Sequence, residues 1–180
     1  KRRIQLVSQR SIEINQKGLD LLLQAYSRIC DKTDYDLLIV GSGASGDLQE
    51  LNSIMKKLGI EKRVTLLGRV HGQVKEDVFL QAAFTVIPSR FETFCIVALE
   101  SLAYGLPVIT FDIDGLNWMP ENARIKVKPF DEKALADAML QLSKDTRLRK
   151  KMKTIGKAYA KANTWDTIAK EYEKYLKELI

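Results

Sequence analysis

The run from Phe84 to Phe111, FTVIPSRFETFCIVALESLAYGLPVITF, constrains the fold more than any other stretch. Phe84-Thr85-Val86-Ile87 is a short apolar run stopped by Pro88, and it reads as a buried strand. A polar turn follows from Ser89 to Thr93. From Phe94 to about Tyr104 the apolar spacing is helical, and Gly105 with Pro107 close behind is a helix stop. Val108-Ile109-Thr110-Phe111 reads as a second buried strand. Strand, helix and strand in that order make a parallel βαβ unit, because parallel neighbours need a long crossover.

Two carboxylates sit inside this unit. Glu92 lies in the turn, and Glu100 lies in the helix among Ala98, Leu99 and Leu102. A charge in so apolar a helix asks for a partner, since burying it alone costs roughly several kcal/mol. With the helix starting near Phe94, Glu100 is about 9 Å along it at a rise of about 1.5 Å per residue. Between the two acids lies the helix N-terminus, whose free N–H groups and positive dipole end favour a phosphate. Carboxylate, anion site and carboxylate would suit a molecule with hydroxyls at both ends and phosphates between, such as a nucleotide-sugar. On the residues alone, Glu92 reads equally as a turn residue and Glu100 as a surface residue.

Here the sequence resembles a known family. The run from Pro88 to Ile109, PSRFETFCIVALESLAYGLPVI, with its two glutamates separated by seven residues, resembles the signature of the retaining glycosyltransferases of group 1, the sucrose-synthase-like family. The resemblance implies the C-terminal half of a GT-B fold, in which two Rossmann-like domains face each other across the active site. The fold class expected is therefore α/β, a Rossmann-like parallel sheet of about six strands flanked by helices. Strands and helices alternating along the whole chain give the same class.

The rest of the chain is read against this. Ile4 to Ser8 is a short strand, and about ten residues of turn carry Arg10 and Lys17-Gly18. The helix after them shows Leu19, Leu22, Leu23, Tyr26 and Ile29 on one face. Without context both cations read as solvated loop charges. The resemblance implies that Arg10 and Lys17 bind the donor diphosphate. Asp36 to Val40 is a second strand, followed by Gly41-Ser42-Gly43-Ala44-Ser45-Gly46 and a helix burying Leu48, Leu51, Ile54, Met55 and Leu58. This is a G-x-G-x-x-G pattern, the dinucleotide fingerprint. It follows the second strand rather than the first, and no acid closes the next strand, Val64 to Leu67. Arg69 there would suit a 2′-phosphate, which keeps an NADP-binding oxidoreductase domain open. The resemblance instead implies that Gly41 and Gly43 line the cleft. It also implies that Val70, in the loop Gly68 to Gly72, lies against the nucleotide base. His71, the single histidine, reads as an exposed loop residue. A helix over 74–82 leads back into the central unit.

Two segments depart from the family pattern. At Thr93-Phe94-Cys95 a cysteine replaces a small residue, and it reads as a small buried side chain rather than a reactive thiol. At Asp114 to Trp118 one glycine, Gly115, remains, and Asn117 or Trp118 stands near the usual acid's place. These departures bear on the sugar pocket more than on the fold. They leave open a non-catalytic nucleotide-binding module. Ile125 to Lys128 is a last strand, and Asp131 is the N-cap of a helix with Leu135, Ala138, Met139 and Leu142 inside. The stretch Lys144 to Lys161 is strongly basic. It reads as a solvated helix face, or as one drawn to anionic lipid headgroups. A final helix over 164–180 carries the stripe Trp165, Ile168, Ala169, Tyr172, Leu176 and Leu179, which must pack on something.

Composition excludes several classes. The chain has 180 residues, 46% hydrophobic and 29% charged, enough for one domain with a core. No apolar run is long enough to span a membrane, and no secretory pattern is present. Cys30 and Cys95 make neither a disulfide framework nor a metal site. A cytoplasmic protein fits, with peripheral contact at the inner membrane face. The net charge of +6 suits phosphates, but no nucleic-acid motif accompanies it.

Residues 1–180 are thus expected to form a single nucleotide-sugar-binding domain, lacking the N-terminal acceptor domain of a complete family member. The implied activity is transfer of a sugar, with retention, from a nucleoside-diphosphate sugar to a saccharide or lipid-linked acceptor in polysaccharide or glycoconjugate synthesis. The resemblance implies Glu92 at the donor sugar, Arg10 and Lys17 on the leaving diphosphate, and Glu100 on the ribose. It implies donor contacts also from Thr93, Phe94, Cys95 and Ile96. No metal and no cofactor beyond the substrate are expected, since the cations would neutralise the diphosphate.

Overall fold

The computed structural model describes residues 3–7 and 12–178, with side chains from residue 12 onward. Six parallel strands form one sheet: β1 (Arg3–Val7), β2 (Asp36–Val40), β3 (Val64–Leu66), β4 (Ala82–Ile87), β5 (Val108–Phe111) and β6 (Arg124–Val127). Their order across the sheet is β3-β2-β1-β4-β5-β6. The helices are α1 (Ile14–Lys17), α2 (Leu19–Ser27), α3 (Ser45–Leu58), α4 (Gly72–Gln81), α5 (Ile96–Tyr104), α6 (Glu132–Lys144), α7 (Thr146–Ala162) and α8 (Trp165–Glu178). The α/β class and the sheet of six parallel strands agree with the sequence.

Strand alternation divides the core. Leu37 and Ile39 of β2, Phe84 and Val86 of β4, and Ile109 and Phe111 of β5 face α2, α3 and α6. Leu38 and Val40 face the other way, toward Val78 and Phe79 of α4 and Val97 of α5. Ile87 and Val108 meet Ala98 and Leu102 of α5 on that second side, where α7 adds Ile155 and Tyr159. Both faces are covered, so the strands are near-continuous apolar runs.

Several boundaries differ from the sequence reading, each for a local reason. Helix α5 starts at Ile96, not Phe94, because Cys95 takes a left-handed conformation, φ +62°, that the first helical turn does not accept. The ten-residue turn after β1 contains a helical turn, α1, closed by Gly18 at φ +63°. Of the apolar residues assigned to the inner face of α3, Leu51 and Met55 are fully buried; Leu48, Ile54 and Leu58 are half-buried at its margin. Asp131 caps α6 as read, accepting from the Ala134 N–H at 2.9 Å. Helix α8 exists, but its stripe buries nothing among the described residues: Trp165 is 80% exposed.

Candidate functional site

The strand order reverses between β1 and β4. The chain leaves β1 toward one edge and β4 toward the other, so a crevice opens at their C-terminal ends. The loop after β1 and the turn after β4 meet there. Arg90 fastens them: its backbone N–H donates to the Gln16 carbonyl at 2.9 Å, and its guanidinium donates to the Asn15 carbonyl at 2.6 Å. The same guanidinium forks onto both Asp20 oxygens at 2.9 and 2.7 Å. Burial pushes the Asp20 carboxyl up, but the hydrogen bonds and charge of Arg90 outweigh this and hold it below its ordinary value.

This joint brings Lys17 onto Glu92. The Lys17 ammonium donates to Glu92 Oε1 at 2.9 Å, and the hydroxyl of the buried Ser89 donates to the same oxygen at 2.8 Å. The Glu92 side chain is only 9% exposed. Its backbone is covered by the turn 114–116, where a Cβ on Gly115 would lie 1.7 Å from the Glu92 carbonyl oxygen. Glycine at 115 is therefore a packing requirement.

Beyond Glu92 the chain passes Thr93, Phe94 and Ile96, all exposed, before α5 begins. No side chain caps α5, whose N-terminus follows β4 at the C-terminal end of the sheet. Cys95 occupies the N-cap position; burial, with the Glu92 charge behind it, pushes its thiol up to about 12. Burial and that charge favour the protonated form of the thiol. Trp118, near the place where an acid was expected, stacks on Phe94 with ring centres 4.6 Å apart. Its indole N–H donates to the Phe94 carbonyl at 2.6 Å. Tyr159 of α7 backs it, with its ring 5.9 Å away and its hydroxyl on the Trp118 carbonyl at 3.1 Å. Asn117 accepts from Arg124 at 3.4 Å, and the buried Arg124 also donates to the Leu116 carbonyl. Trp118, backed by Tyr159, thus braces the 94–95 loop, and Arg124 ties down the turn that carries Trp118.

Glu100 is one helical turn into α5. It pairs with Lys75 of α4, Nζ to Oε1 at 2.7 Å. Val70 is half-buried beside Leu38, Val78 and Phe79, at the start of the same helix. The Gly41 N–H donates to the Gly68 carbonyl at 2.9 Å, tying the glycine loop to the loop carrying Val70. At Gly43 the close approach that glycine allows is taken by Ile12: an added Cβ would sit 2.9 Å from Ile12 Cβ. The glycine loop thus follows β2, off the reversal point, and packs on its own chain. His71 is exposed, as read. Arg10 lies outside the described residues.

Ser89, Arg90 and Lys75 were not singled out in the sequence. Ser89 and Arg90 stand inside the signature run, so proximity to Glu92 was the available signal. Nothing local marks Lys75, which reaches Glu100 only because two helices lie side by side. Among the described residues no group of His, Cys, Asp and Glu side chains converges to hold a metal ion, and no helix is long and apolar enough to cross a membrane.

Residues 3–159 match the family model described as glycosyl transferases group 1. An uncharacterized glycosyltransferase of Methanocaldococcus jannaschii is 33% identical over 160 residues, covering 87% of this chain and 40% of that protein. A Campylobacter jejuni protein named N-acetylgalactosamine-N,N'-diacetylbacillosaminyl-diphospho-undecaprenol 4-alpha-N-acetylgalactosaminyltransferase is 33% identical over 163 residues, covering 89% of this chain and 43% of that protein. Among solved structures, Anabaena HepE in complex with UDP and glucose superposes with a TM-score of 0.82 at 19% identity, covering 97% of this chain and 48% of that one. The chain spans less than half the length of these proteins.

Proposed function

The chain belongs to the glycosyl transferases of group 1, and from that premise we propose that it forms the donor-binding half of a retaining glycosyltransferase using a nucleoside-diphosphate sugar. The observation that carries the reading is the Lys17–Glu92 pair at the sheet reversal, beside the uncapped N-terminus of α5. An ammonium has three donors, and Glu92 uses one. Lys17 keeps donors for a diphosphate while it holds Glu92 toward the sugar. Arg10, Lys17 and the N–H groups at Cys95 and Ile96 stabilise the leaving diphosphate. This electrostatic term is usually the largest in such transfers. Glu100 accepts from the ribose hydroxyls, Val70 lies against the base, and Thr93 and Phe94 border the sugar. The residues themselves neutralise the diphosphate, without a metal.

The HepE structure, with its UDP and glucose, supports a nucleotide and a sugar as ligands of this fold. The remaining half of such an enzyme supplies the acceptor site, and the exposed stripe of α8 docks there. A saccharide or lipid-linked acceptor fits the Campylobacter relative, which is named for a diphospho-undecaprenol compound. The cationic exposed face of α7 then rests on the inner membrane face from the cytoplasmic side. The oxidoreductase alternative is not favoured. Its fingerprint glycines lie off the reversal point, and Gly43 is packed against Ile12.

Calorimetric titration with UDP, GDP, ADP and NADPH tests the reading. One diphosphate should bind, and Glu100→Ala should weaken it about tenfold or more, the worth of a hydrogen bond to a charged group. The 180-residue chain should bind without transferring sugar. Binding of NADPH alone, or sugar transfer by this chain, would overturn the proposal in its respective part.

A further inference from the structure

Helices α4 and α5 are joined by two rungs. Lys75 meets Glu100 at 2.7 Å, and Phe79 stacks on Tyr104 with ring centres 4.7 Å apart and planes within 5°. Both rungs join residues 25 apart in sequence, and within each helix the rungs are four residues apart. The two helices therefore run side by side in one direction, and each rung lies one turn from the other. Phe79 is 1% exposed and belongs to the core cluster with Leu38, Val40 and Val97. The lower rung is fixed by packing, and it sets where the upper rung stands. The ammonium of Lys75 is thus delivered to Glu100 by the body of the protein rather than by a free side chain.

The same helix begins at Gly72, directly after the loop that carries Val70, and Val70 packs on the cluster containing Val78 and Phe79. One rigid block holds both the loop assigned to the base and the counter-ion of the carboxylate assigned to the ribose. A carboxylate has about four lone-pair sites. An ammonium on Oε1 leaves it able to accept from neutral hydroxyls while fixing its rotamer. Without that ammonium, the carboxylate loses the charge-assisted bond that fixes Oε1 at the upper rung.

We infer that Lys75 is a positioning residue for sugar recognition in the nucleotide: through Glu100, it sets the preference for a ribonucleotide over a deoxyribonucleotide. The inference rests on the donor-site reading and deepens it. A purely structural rung would act on stability alone. A positioning rung acts on the difference between two ligands that differ by a single hydroxyl.

The test is calorimetry on the 180-residue chain with UDP, GDP and ADP and with the 2′-deoxy form of each. Wild-type, Lys75→Met, Lys75→Arg and Glu100→Gln chains are compared, with thermal unfolding of each alongside. The wild-type chain should prefer the ribo form by about tenfold, and Lys75→Met should bring that ratio to within about threefold of unity, a difference of one hydrogen bond to a charged acceptor. Lys75→Arg keeps the charge and should restore most of the ratio. A Lys75→Met chain that is less stable but keeps its wild-type ratio overturns the inference and leaves the rung structural. Tighter binding of both forms overturns it too, since Lys75 would then be a competitor. If no diphosphate binds the wild-type chain, or Glu100→Gln changes nothing, the donor-site reading itself fails and the inference falls with it. Should Lys75→Met not fold, Lys75→Gln replaces it under the same criteria.

Discussion

Cys95 shows what a single residue can and cannot reveal. Its size and its neighbours marked it as a small buried side chain; in the structure it is half-buried between the exposed Phe94 and Ile96. Its backbone was not legible. A φ of +62° is the left-handed region, where glycine is at ease and a side chain is strained by about 1–2 kcal/mol. A glycine would take this conformation without that strain. Burial, then the nearby Glu92 charge, raises the thiol from 9.0 to about 12. In the folded chain at pH 8, iodoacetamide should spare Cys95, while the denatured chain reacts at both cysteines; mass spectrometry reads the difference. Equal labelling in both states would refute the assignment. The sign of the linkage follows. The folded group keeps its proton where the unfolded one has lost it, so this contribution to stability is complete below pH 9.0 and declines as pH rises toward 12. Denaturant midpoints between pH 8 and 11 should fall more for the wild-type chain than for Cys95→Ala.

At the scale of elements, the site is a joint between the α1–α2 corner and the turn after β4. Gly18 makes the corner possible twice over. It has φ +63°, and a Cβ there would lie 1.9 Å from the Pro88 carbonyl oxygen. Gly18→Ala should therefore destabilise by roughly 1–3 kcal/mol, through both strain and clash. For a chain of this size that is a fall in unfolding midpoint of several degrees, at about 2–4 °C per kcal/mol. Diphosphate binding should weaken with it, because Lys17 immediately precedes the corner. An unchanged midpoint in a thermal scan would contradict the geometry. The signature run foretold the turn, the helix and both flanking strands. It did not foretell that Arg90 would clamp the turn to Asn15, Gln16 and Asp20, because those partners are more than 65 residues away in sequence.

For the whole molecule, the last two helices differ in kind. Helix α7 buries Met152 and Gly156 against the domain, with Gly156 close on Leu102. Helix α8 buries no described residue. Deleting residues 165–180 should thus move the unfolding midpoint by less than about 2 °C, the range of exposed surface changes. A large fall would mean that the stripe packs on this domain after all. The linear chain was enough for the fold class, the alternation of strands and helices, and the stretch that carries Glu92 and Glu100. Those depend on local period, turn residues and one continuous run, all of which a linear chain displays. Which groups face one another came only with the packed fold: Lys17 on Glu92, Lys75 on Glu100, Gly115 beneath the Glu92 backbone, and Trp118 on Phe94. Such pairs are set by strand order and by the packing of neighbouring helices, and these bring together positions whose separation in sequence carries no local signal.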